Sequence, residues 1–208
     1  SDFDENKFLA TATRNGMIKK TQLSLYSRPR RGGIWSMTLK EGDQLIAAAI
    51  TDGDHDIVLA KKGGRAIRFP ETDVRSMGRT AGGVRGVKLD PGDEVVGMAV
   101  VHKDATLLTV TEHGYGKRSA LEDYATKHRG GKGVINIRTT ERNGKVVAIK
   151  EVRDQDDIMI ITKKGVVIRC PIAELNVIGR ATQGVRLIAL DEGDEVMDVA
   201  HLVKEDDD

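Results

Sequence analysis

The sequence is poor in several residue types, and each shortage excludes a class of protein. Of its 208 residues only Cys170 is a cysteine, which excludes an internal disulfide and fits a reducing compartment. Aromatic residues make up only 3%, and the longest apolar run, residues 45–50, is far too short to cross a bilayer. The opening residues have no basic and apolar leader, so no signal peptide is expected. These absences predict a cytoplasmic protein without a membrane contact.

Patterns of catalytic and metal-binding residues are also missing. No phosphate-binding loop of the Walker type occurs, since the stretch GGKG at 130–133 has neither the spacing nor the hydroxyl residue. The five histidines show no pair at metal-ligand spacing, and each is expected to be a surface or turn residue. Cys170 and Trp35 are expected to pack within or beside strands. The sequence therefore predicts no catalytic centre, no metal site and no cofactor in this chain.

A repeat of about 50 residues organises what is present. Three sets of glycines recur with nearly equal spacing and mark equivalent points in four units. The sets are Gly16, Gly64, Gly114 and Gly165; then Gly33, Gly83, Gly133 and Gly184; then Gly42, Gly92, Gly144 and Gly193. Their agreement predicts one domain over residues 8–203, with units 8–55, 56–105, 106–156 and 157–203, and an acidic tail at 204–208.

Turn chemistry divides each unit into short strands. Asn15-Gly16 is a strong hairpin signal, and a second Gly-containing turn follows later in the unit. Four strands are predicted in the first unit, at residues 8–14, 17–21, 34–39 and 44–51. Helix should be limited to single turns near Glu71, Leu121 and 171–175, because no segment keeps a helical apolar period. Repeated four-stranded units predict an all-β, propeller-like disc of about four blades.

The net charge of +1 conceals an alternation of basic and acidic blocks. Formal charges of +6, +5, +3 and +3 fall on residues 8–39, 56–89, 106–139 and 157–190, and the rest of the chain carries −16. Basic residues beside glycines suit phosphate contact, because glycine lets backbone N–H groups approach an anion. One basic run would be an ordinary solvated surface. Four basic runs at equivalent positions of the four units predict a positive rim. Such a rim would bind a long polyanion through the backbone of that polyanion.

Fifteen basic residues are candidates for these phosphate contacts. Four of them, Lys20, Arg68, Arg118 and Arg169, follow the turn glycines by four residues, and strand alternation predicts that they point to the same side of their blades. The others lie on the same strands or in the Gly-rich connections: Lys19, Arg30, Arg31, Arg65, Arg79, Arg85, Lys117, Arg129, Lys132, Arg180 and Arg186.

Four stretches carry a resemblance to a known family. They are KKGGRAIRF at 61–69, EHGYGKRS at 112–119, and the longer segments 74–96 and 132–147. With these motifs the chain resembles the C-terminal domain of the A subunit of bacterial DNA gyrase, over almost all of residues 8–203. The resemblance implies a β-pinwheel, a disc whose blades exchange strands and whose basic rim wraps double-stranded DNA. The fifteen cations would then be its DNA-binding residues.

The resemblance also implies the surroundings in which the chain works. The parent would be an ATP-dependent type II topoisomerase that introduces negative supercoils, with the B subunit in an A2B2 holoenzyme that uses ATP and Mg²⁺. The domain itself would be monomeric in isolation, without a catalytic centre, and associated with the bacterial nucleoid. The cleavage tyrosine of such enzymes follows an arginine. None of the three tyrosines here does, so the cleavage centre is expected elsewhere.

Two departures from the family pattern keep alternatives open. The family's domain has more blades than the four units found here, and its hallmark segment, Gln-Arg-Arg-Gly-Gly-Lys-Gly, is incomplete. Residues 127–133, KHRGGKG, keep its last five positions but lie in the third unit, and residues 30–33 keep only its core. One alternative is the corresponding domain of topoisomerase IV, and another is a propeller scaffold that binds acidic proteins.

Overall fold

Short β-strands make up nearly all of the regular structure. We describe residues 3–202 of a computed structural model, and the acidic tail predicted at 204–208 lies outside them. Each unit begins with a hairpin. The first hairpin strands are β1 (Phe8–Thr13), β4 (Asp56–Lys61), β8 (Thr106–Thr111) and β12 (Asp157–Thr162). The second are β2 (Met17–Gln22), β5 (Arg65–Pro70), β9 (Tyr115–Ala120) and β13 (Val167–Pro171).

Each unit ends with a long strand, and three units carry a short strand before it. The long strands are β3 (Leu45–Thr51), β7 (Val95–Val101), β11 (Val146–Val152) and β15 (Val196–Leu202). The two-residue strands are β6 (Val84–Arg85), β10 (Val134–Ile135) and β14 (Val185–Arg186). Single turns of 3-10 helix follow the hairpins, at Leu23–Tyr26, Glu71–Asp73, Leu121–Asp123 and Ile172–Glu174. No helix within residues 3–202 is long and apolar enough to span a membrane.

The strands form four sheets, so the all-β, four-bladed architecture predicted from the repeat is confirmed. Three sheets have four strands, in the orders β3-β1-β2-β6, β7-β4-β5-β10 and β11-β8-β9-β14, and the last has three, β15-β12-β13. The two-residue strand in each of the first three sheets comes from the following unit. In the first sheet, for example, Met17 pairs with Arg85 and Ile18 with Val84. Each of the later blades therefore donates a strand to the blade before it.

The strand predicted at residues 34–39 is absent, and strand donation explains why. Its counterparts in the later units are the two-residue strands, which form only because a preceding blade offers an edge. Within residues 3–202 no blade precedes the first, so this segment has no partner strand. Trp35, expected to pack beside that strand, is instead 77% exposed.

Glycine geometry fixes the point at which each donated strand crosses the preceding blade. Gly83 has a φ of +81° and a Cβ added there would lie 2.6 Å from the carbonyl oxygen of Ile18. Gly184 repeats the arrangement against the carbonyl oxygen of Gly116, at 2.5 Å. The close approach and the left-handed backbone both require a residue without a side chain. The second set of repeated glycines thus marks strand donation.

The hydrophobic core lies between blades as much as within them. One buried cluster joins Ile18 of the first unit to Leu59 and Val87 of the second. Another joins Leu108 of the third unit to Ile158 of the fourth. The long end strands of neighbouring blades also pack against each other, β3 on β7, β7 on β11 and β11 on β15. The long strands therefore face the middle of the disc, and the second hairpin strands with their donated partners form its outer edge.

Candidate nucleic-acid interface

The structure separates the fifteen predicted phosphate contacts by burial. Four are buried: Lys19, Lys20, Lys117 and Arg118. Five are half-buried: Arg65, Arg68, Arg79, Arg129 and Arg180. Six are exposed: Arg30, Arg31, Arg85, Lys132, Arg169 and Arg186. The exposed group is the most accessible to a ligand outside the protein, although Arg169 and Arg186 also bond to Asp157 and Tyr115.

The cations four residues after the turn glycines do point the same way, but they point at the next blade. Three of the four donate to the carbonyl oxygen of the residue that opens the next blade's 3-10 helix. The three contacts are Lys20 Nζ to Glu71 at 3.0 Å, Arg68 Nη1 to Leu121 at 2.8 Å and Arg118 Nη1 to Ile172 at 3.3 Å. The sequence pattern marks an inter-blade hydrogen bond.

All four of these cations are predicted to lie on or beside the DNA track, but the structure buries two of them. Lys20 and Arg118 have side chains only 8% exposed, because the next blade covers them. Arg169 occupies the same position on β13, has no following blade within residues 3–202, and is 62% exposed. Arg68 is intermediate, held by Asp56 of its own blade at 2.7 Å.

A second set of arginines, in the Gly-rich connections, also binds backbone carbonyls. Arg79, Arg129 and Arg180 are spaced 50 and 51 residues apart. Their Nη1 atoms donate to equivalent carbonyls of the preceding unit, those of Trp35 at 3.2 Å, Arg85 at 3.0 Å and Ile135 at 2.7 Å. These guanidinium groups anchor each connection to the segment that follows the second repeated glycine in the unit before it. Their planar forks suit this role, because they can donate several hydrogen bonds in fixed directions.

Lys19 and Lys117, which precede Lys20 and Arg118, are buried and form hydrogen bonds within the protein. Lys19 Nζ donates to the carbonyl oxygen of Ser36 at 2.6 Å, and Lys117 Nζ donates to Ser119 Oγ. Burial lowers the pKa of Lys19, and it lowers the pKa of Lys117 to about 8. With a pKa of about 8, Lys117 remains mostly protonated at neutral pH and loses its charge at mildly alkaline pH. Lys19 and Lys117 are both predicted DNA contacts, and both are buried in the structure, so DNA contact stays a prediction for them.

The exposed cations form the remaining candidate surface, which we call the outer edge. Arg30 and Arg31 lie in the first connection, Arg85 and Arg186 on donated strands, and Lys132 shortly before β10. Lys132 keeps 60% of its side chain exposed while its Nζ lies 3.7 Å from Asp90. Donated strands are the outermost strands of their sheets, so Arg85 and Arg186 lie at the edges of their sheets. A ligand following them would run around the blades.

One further basic site joins residues that are remote in sequence. Arg142 Nε and Arg186 Nη2 both donate to the Tyr115 hydroxyl, each at 3.2 Å. Their guanidinium carbons lie 5.1 and 5.7 Å from the Tyr115 ring centroid. The pKa of Tyr115 is lowered, first by the hydrogen bond from Arg186 and then by that from Arg142. Sequence reasoning missed Arg142 because nothing local links it to a tyrosine 27 positions earlier.

Among residues 3–202, one group of side chains could hold a metal ion by the spacing of its ligand atoms. It consists of Asp52, His55 and Glu71. The oxygens of Glu71, however, are fully used. Oε1 accepts from the backbone N–H groups of Gly53 and His55, and Oε2 accepts from Thr51 Oγ1 with Lys20 Nζ 3.6 Å away. This buried carboxylate fixes the turn after β3 and offers no free lone pair to a metal.

Comparison with known families gives one match that covers all four units. The family described as DNA gyrase C-terminal domain, beta-propeller, matches residues 7–52, 56–102, 105–153 and 156–201. The A subunit of DNA gyrase from Salmonella typhimurium is 44% identical over 207 residues, which is all of this chain and 24% of that protein. Its counterpart from Staphylococcus aureus is 47% identical over 98% of this chain and 23% of its own length. The chain thus spans about a quarter of these relatives.

Solved structures give the same architecture. The C-terminal domain of DNA topoisomerase IV superposes with a TM-score of 0.90 at 28% identity, covering 97% of this chain and 63% of that one. A DNA gyrase A C-terminal domain superposes with a TM-score of 0.88 at 27% identity, covering 97% of this chain and 68% of that one. The two superpositions are nearly equal, so shape alone does not separate the two kinds of domain.

Proposed function

The chain belongs to the family of DNA gyrase C-terminal domains, and on that premise we propose that it binds duplex DNA along its outer edge and bends the duplex around the blades. The observation that supports this best is the placement of the exposed cations. Arg30, Arg31, Arg85 and Arg186 lie on connections or donated strands, where a polyanion can reach them in turn. Such contacts address phosphates and carry little sequence preference.

The energy needed to bend DNA and the number of exposed cations are both consistent with wrapping. Bending a site of 20–30 base pairs by 40–90° costs on the order of 1–6 kcal/mol. Each phosphate neutralised by a lysine or arginine contributes about 0.9 to the slope of log K against log salt. The six exposed candidates therefore give a slope of roughly −5 if all make contact. Binding of that kind is strong at low salt and weakens steeply as salt rises.

Within a longer gyrase polypeptide, this domain would present wrapped DNA to a cleavage centre that lies outside residues 3–202. The enzyme would be an ATP-dependent type II topoisomerase in the bacterial cytoplasm. The B subunit would be its partner, and ATP and Mg²⁺ would be used by other parts of the assembly. The domain would contribute no catalytic group of its own. Its role would be to set the path of the duplex, and so the sign of the supercoils.

A direct test combines salt dependence with bending. Two duplexes of unrelated sequence, carrying a donor and an acceptor dye at their ends, are titrated with the chain at several salt concentrations. The proposal predicts equal affinities, a steep salt slope and increased energy transfer on binding. Binding without a change in energy transfer would refute bending. An absence of salt-dependent binding would favour the scaffold for acidic proteins.

The incomplete hallmark segment at 127–133 favours a second candidate, a topoisomerase IV domain that does not wrap DNA as tightly. A circle-closure assay separates the two. A nicked plasmid is ligated in the presence of the chain and its linking number is measured after protein removal. Wrapping with one hand shifts the linking number in proportion to bound protein. Binding without wrapping leaves it unchanged.

A further inference from the structure

Two histidines from successive units have their imidazole rings in contact. His55 lies in the turn between β3 and β4, and His102 follows β7 in the equivalent turn of the next unit. Their ring centroids are 4.3 Å apart and their planes are inclined by 68°. Because they are 47 positions apart, no local spacing in the sequence signals the pair.

Each histidine is oriented by a carboxylate. His55 Nδ1 lies 2.6 Å from Asp52 Oδ1, and His102 Nδ1 lies 2.8 Å from Glu151 Oε1. The backbone N–H of His102 also donates to Glu151 Oε1, at 2.9 Å. A carboxylate only accepts hydrogen bonds, so a neutral imidazole must donate from Nδ1 and keep its lone pair on Nε2. Carboxylates orient metal-binding histidines in this way in known metal sites.

The Nε2 lone pairs remain available. Within residues 3–202 neither Nε2 atom makes a hydrogen bond. The side chains of His55 and His102 are 19% and 46% exposed, so an ion can enter from solvent. Two imidazoles on one tetrahedral zinc ion, each with a Zn–N bond of about 2.1 Å, place their centroids about 5 Å apart. The observed centroid spacing of 4.3 Å differs from that value by less than about 1 Å.

The surrounding charges also suit a divalent ion. Asp52 and Glu151 are within hydrogen-bond distance of the two rings, and Glu71 Oε1 lies 4.0 Å from His55 Nδ1. Lys20 is engaged with Glu71, and Lys103 lines a cavity of about 390 Å³ beside His102. Asp54, Asp56, Glu122 and Arg68 also line this cavity, so six carboxylates against three cationic side chains leave an environment that favours a cation.

We propose that His55 and His102 bind one borderline divalent transition-metal ion, such as Zn²⁺, through their Nε2 atoms, with Asp52 and Glu151 orienting the rings. Imidazole nitrogen is a preferred ligand for this class of ion, whereas Mg²⁺ and Ca²⁺ prefer oxygen. The ion would tie the turn after the first blade to the turn after the second. It would therefore stiffen the junction of the first two units without occupying the outer edge.

The test uses the whole chain, stripped of metal with a chelator. Co²⁺ is added and its visible absorption is followed, and Zn²⁺ is measured by calorimetry and by displacement of Co²⁺. We expect one site per chain and a melting temperature that rises with Zn²⁺ concentration. His55→Gln and His102→Gln should each abolish the site, and Glu151→Gln should weaken Zn²⁺ binding by about ten-fold.

His128→Gln is the matched control, because His128 also lies against a carboxylate, Asp73 at 3.1 Å, but is not paired with a second histidine ring among the described residues. This variant should bind Zn²⁺ like the parent chain. Melting temperatures of all variants without metal establish that each is folded. The proposal is overturned if the parent chain binds no ion. It is also overturned if His55→Gln and His102→Gln keep the stoichiometry and affinity, or if His128→Gln loses them.

Discussion

Arg68 Nη1 donates a hydrogen bond of 2.8 Å to the carbonyl oxygen of Leu121, 53 positions further along the chain and in the next blade. Lys20 and Arg118 make the same contact with Glu71 and Ile172. In the first three units, the cation four residues after the turn glycine therefore forms a hydrogen bond between neighbouring blades. Phosphate binding is left to cations that project from connections and donated strands.

Replacing Arg118 and Arg169 in turn should separate stability from DNA binding. Arg118→Met removes hydrogen bonds from a buried charged group and should lower the free energy of unfolding by about 1.5–3 kcal/mol. Its salt slope for DNA should stay unchanged, because Arg118 reaches no phosphate. Urea unfolding and fluorescence anisotropy with a labelled duplex measure the two quantities.

Arg169→Met is the matched variant, since Arg169 occupies the same strand position but is exposed. It should reduce the salt slope by about one unit, and it should also cost some stability, because Arg169 Nε pairs with the buried Asp157 carboxylate at 2.7 Å. A salt slope that changes in Arg118→Met but not in Arg169→Met would contradict the assignment.

Strand donation predicts that alanine destabilises the chain by different amounts at two equivalent glycines, Gly33 and Gly83. Gly33 and Gly83 have φ values of +80° and +81°, so alanine at either position costs about 1–2 kcal/mol of backbone strain. A Cβ on Gly83 also meets the carbonyl oxygen of Ile18 at 2.6 Å, whereas one on Gly33 meets no described atom within 4 Å. Gly83→Ala should therefore destabilise the chain by at least about 1 kcal/mol more than Gly33→Ala. Equal losses in urea unfolding would refute the donated-strand account.

Lys117 should make the free energy of unfolding change with pH in the alkaline range. Burial lowers its pKa to about 8 in the folded chain, below its usual value in an unfolded chain. Between these two values the unfolded state binds more protons, so the free energy of unfolding rises as pH increases, by as much as about 3 kcal/mol. Lys117→Met removes this dependence. The stability difference between the two chains should change from pH 7.5 to pH 10, and a constant difference would contradict the prediction.

Tyr115 should report on its two arginines. Its pKa is lowered by hydrogen bonds from Arg186 and Arg142, while burial raises the pKa of Tyr124 to about 12. Ultraviolet titration of phenolate should therefore detect Tyr115 before Tyr124. In Arg186→Gln the Tyr115 titration should move to higher pH, whereas Arg138→Gln, an exposed arginine without a bond to this hydroxyl, should leave it in place. An unchanged titration in Arg186→Gln would exclude the contact.

Much of the fold was predictable because its turns depend on local chemistry. All twelve repeated glycines have positive φ, as the period had indicated for turns, and the hairpins end within a residue or two of their predicted limits. The strand predicted at 34–39 was wrong because strand pairing there depends on a neighbouring blade. Local sequence contains no information about which blade supplies the partner.

The candidate site was harder to predict for the same reason. Alternation along a strand gave the common direction of Lys20, Arg68 and Arg118, but not what lies in that direction. Burial under the next blade is a tertiary effect, and so is the convergence of Arg142 and Arg186 on Tyr115. Charge counting located the basic blocks but could not divide their members between inter-blade bonds and the outer edge.

The salt dependence of DNA binding, measured with four of the six exposed cations replaced, tests the central claim most directly. Arg30, Arg31, Arg85 and Arg186 are changed together to glutamine, and log K for a duplex is plotted against log salt beside the parent chain. If these four contact phosphates, the slope becomes shallower by roughly four units and all duplex sequences lose affinity alike. A slope that stays within about half a unit of the parent value would contradict the account.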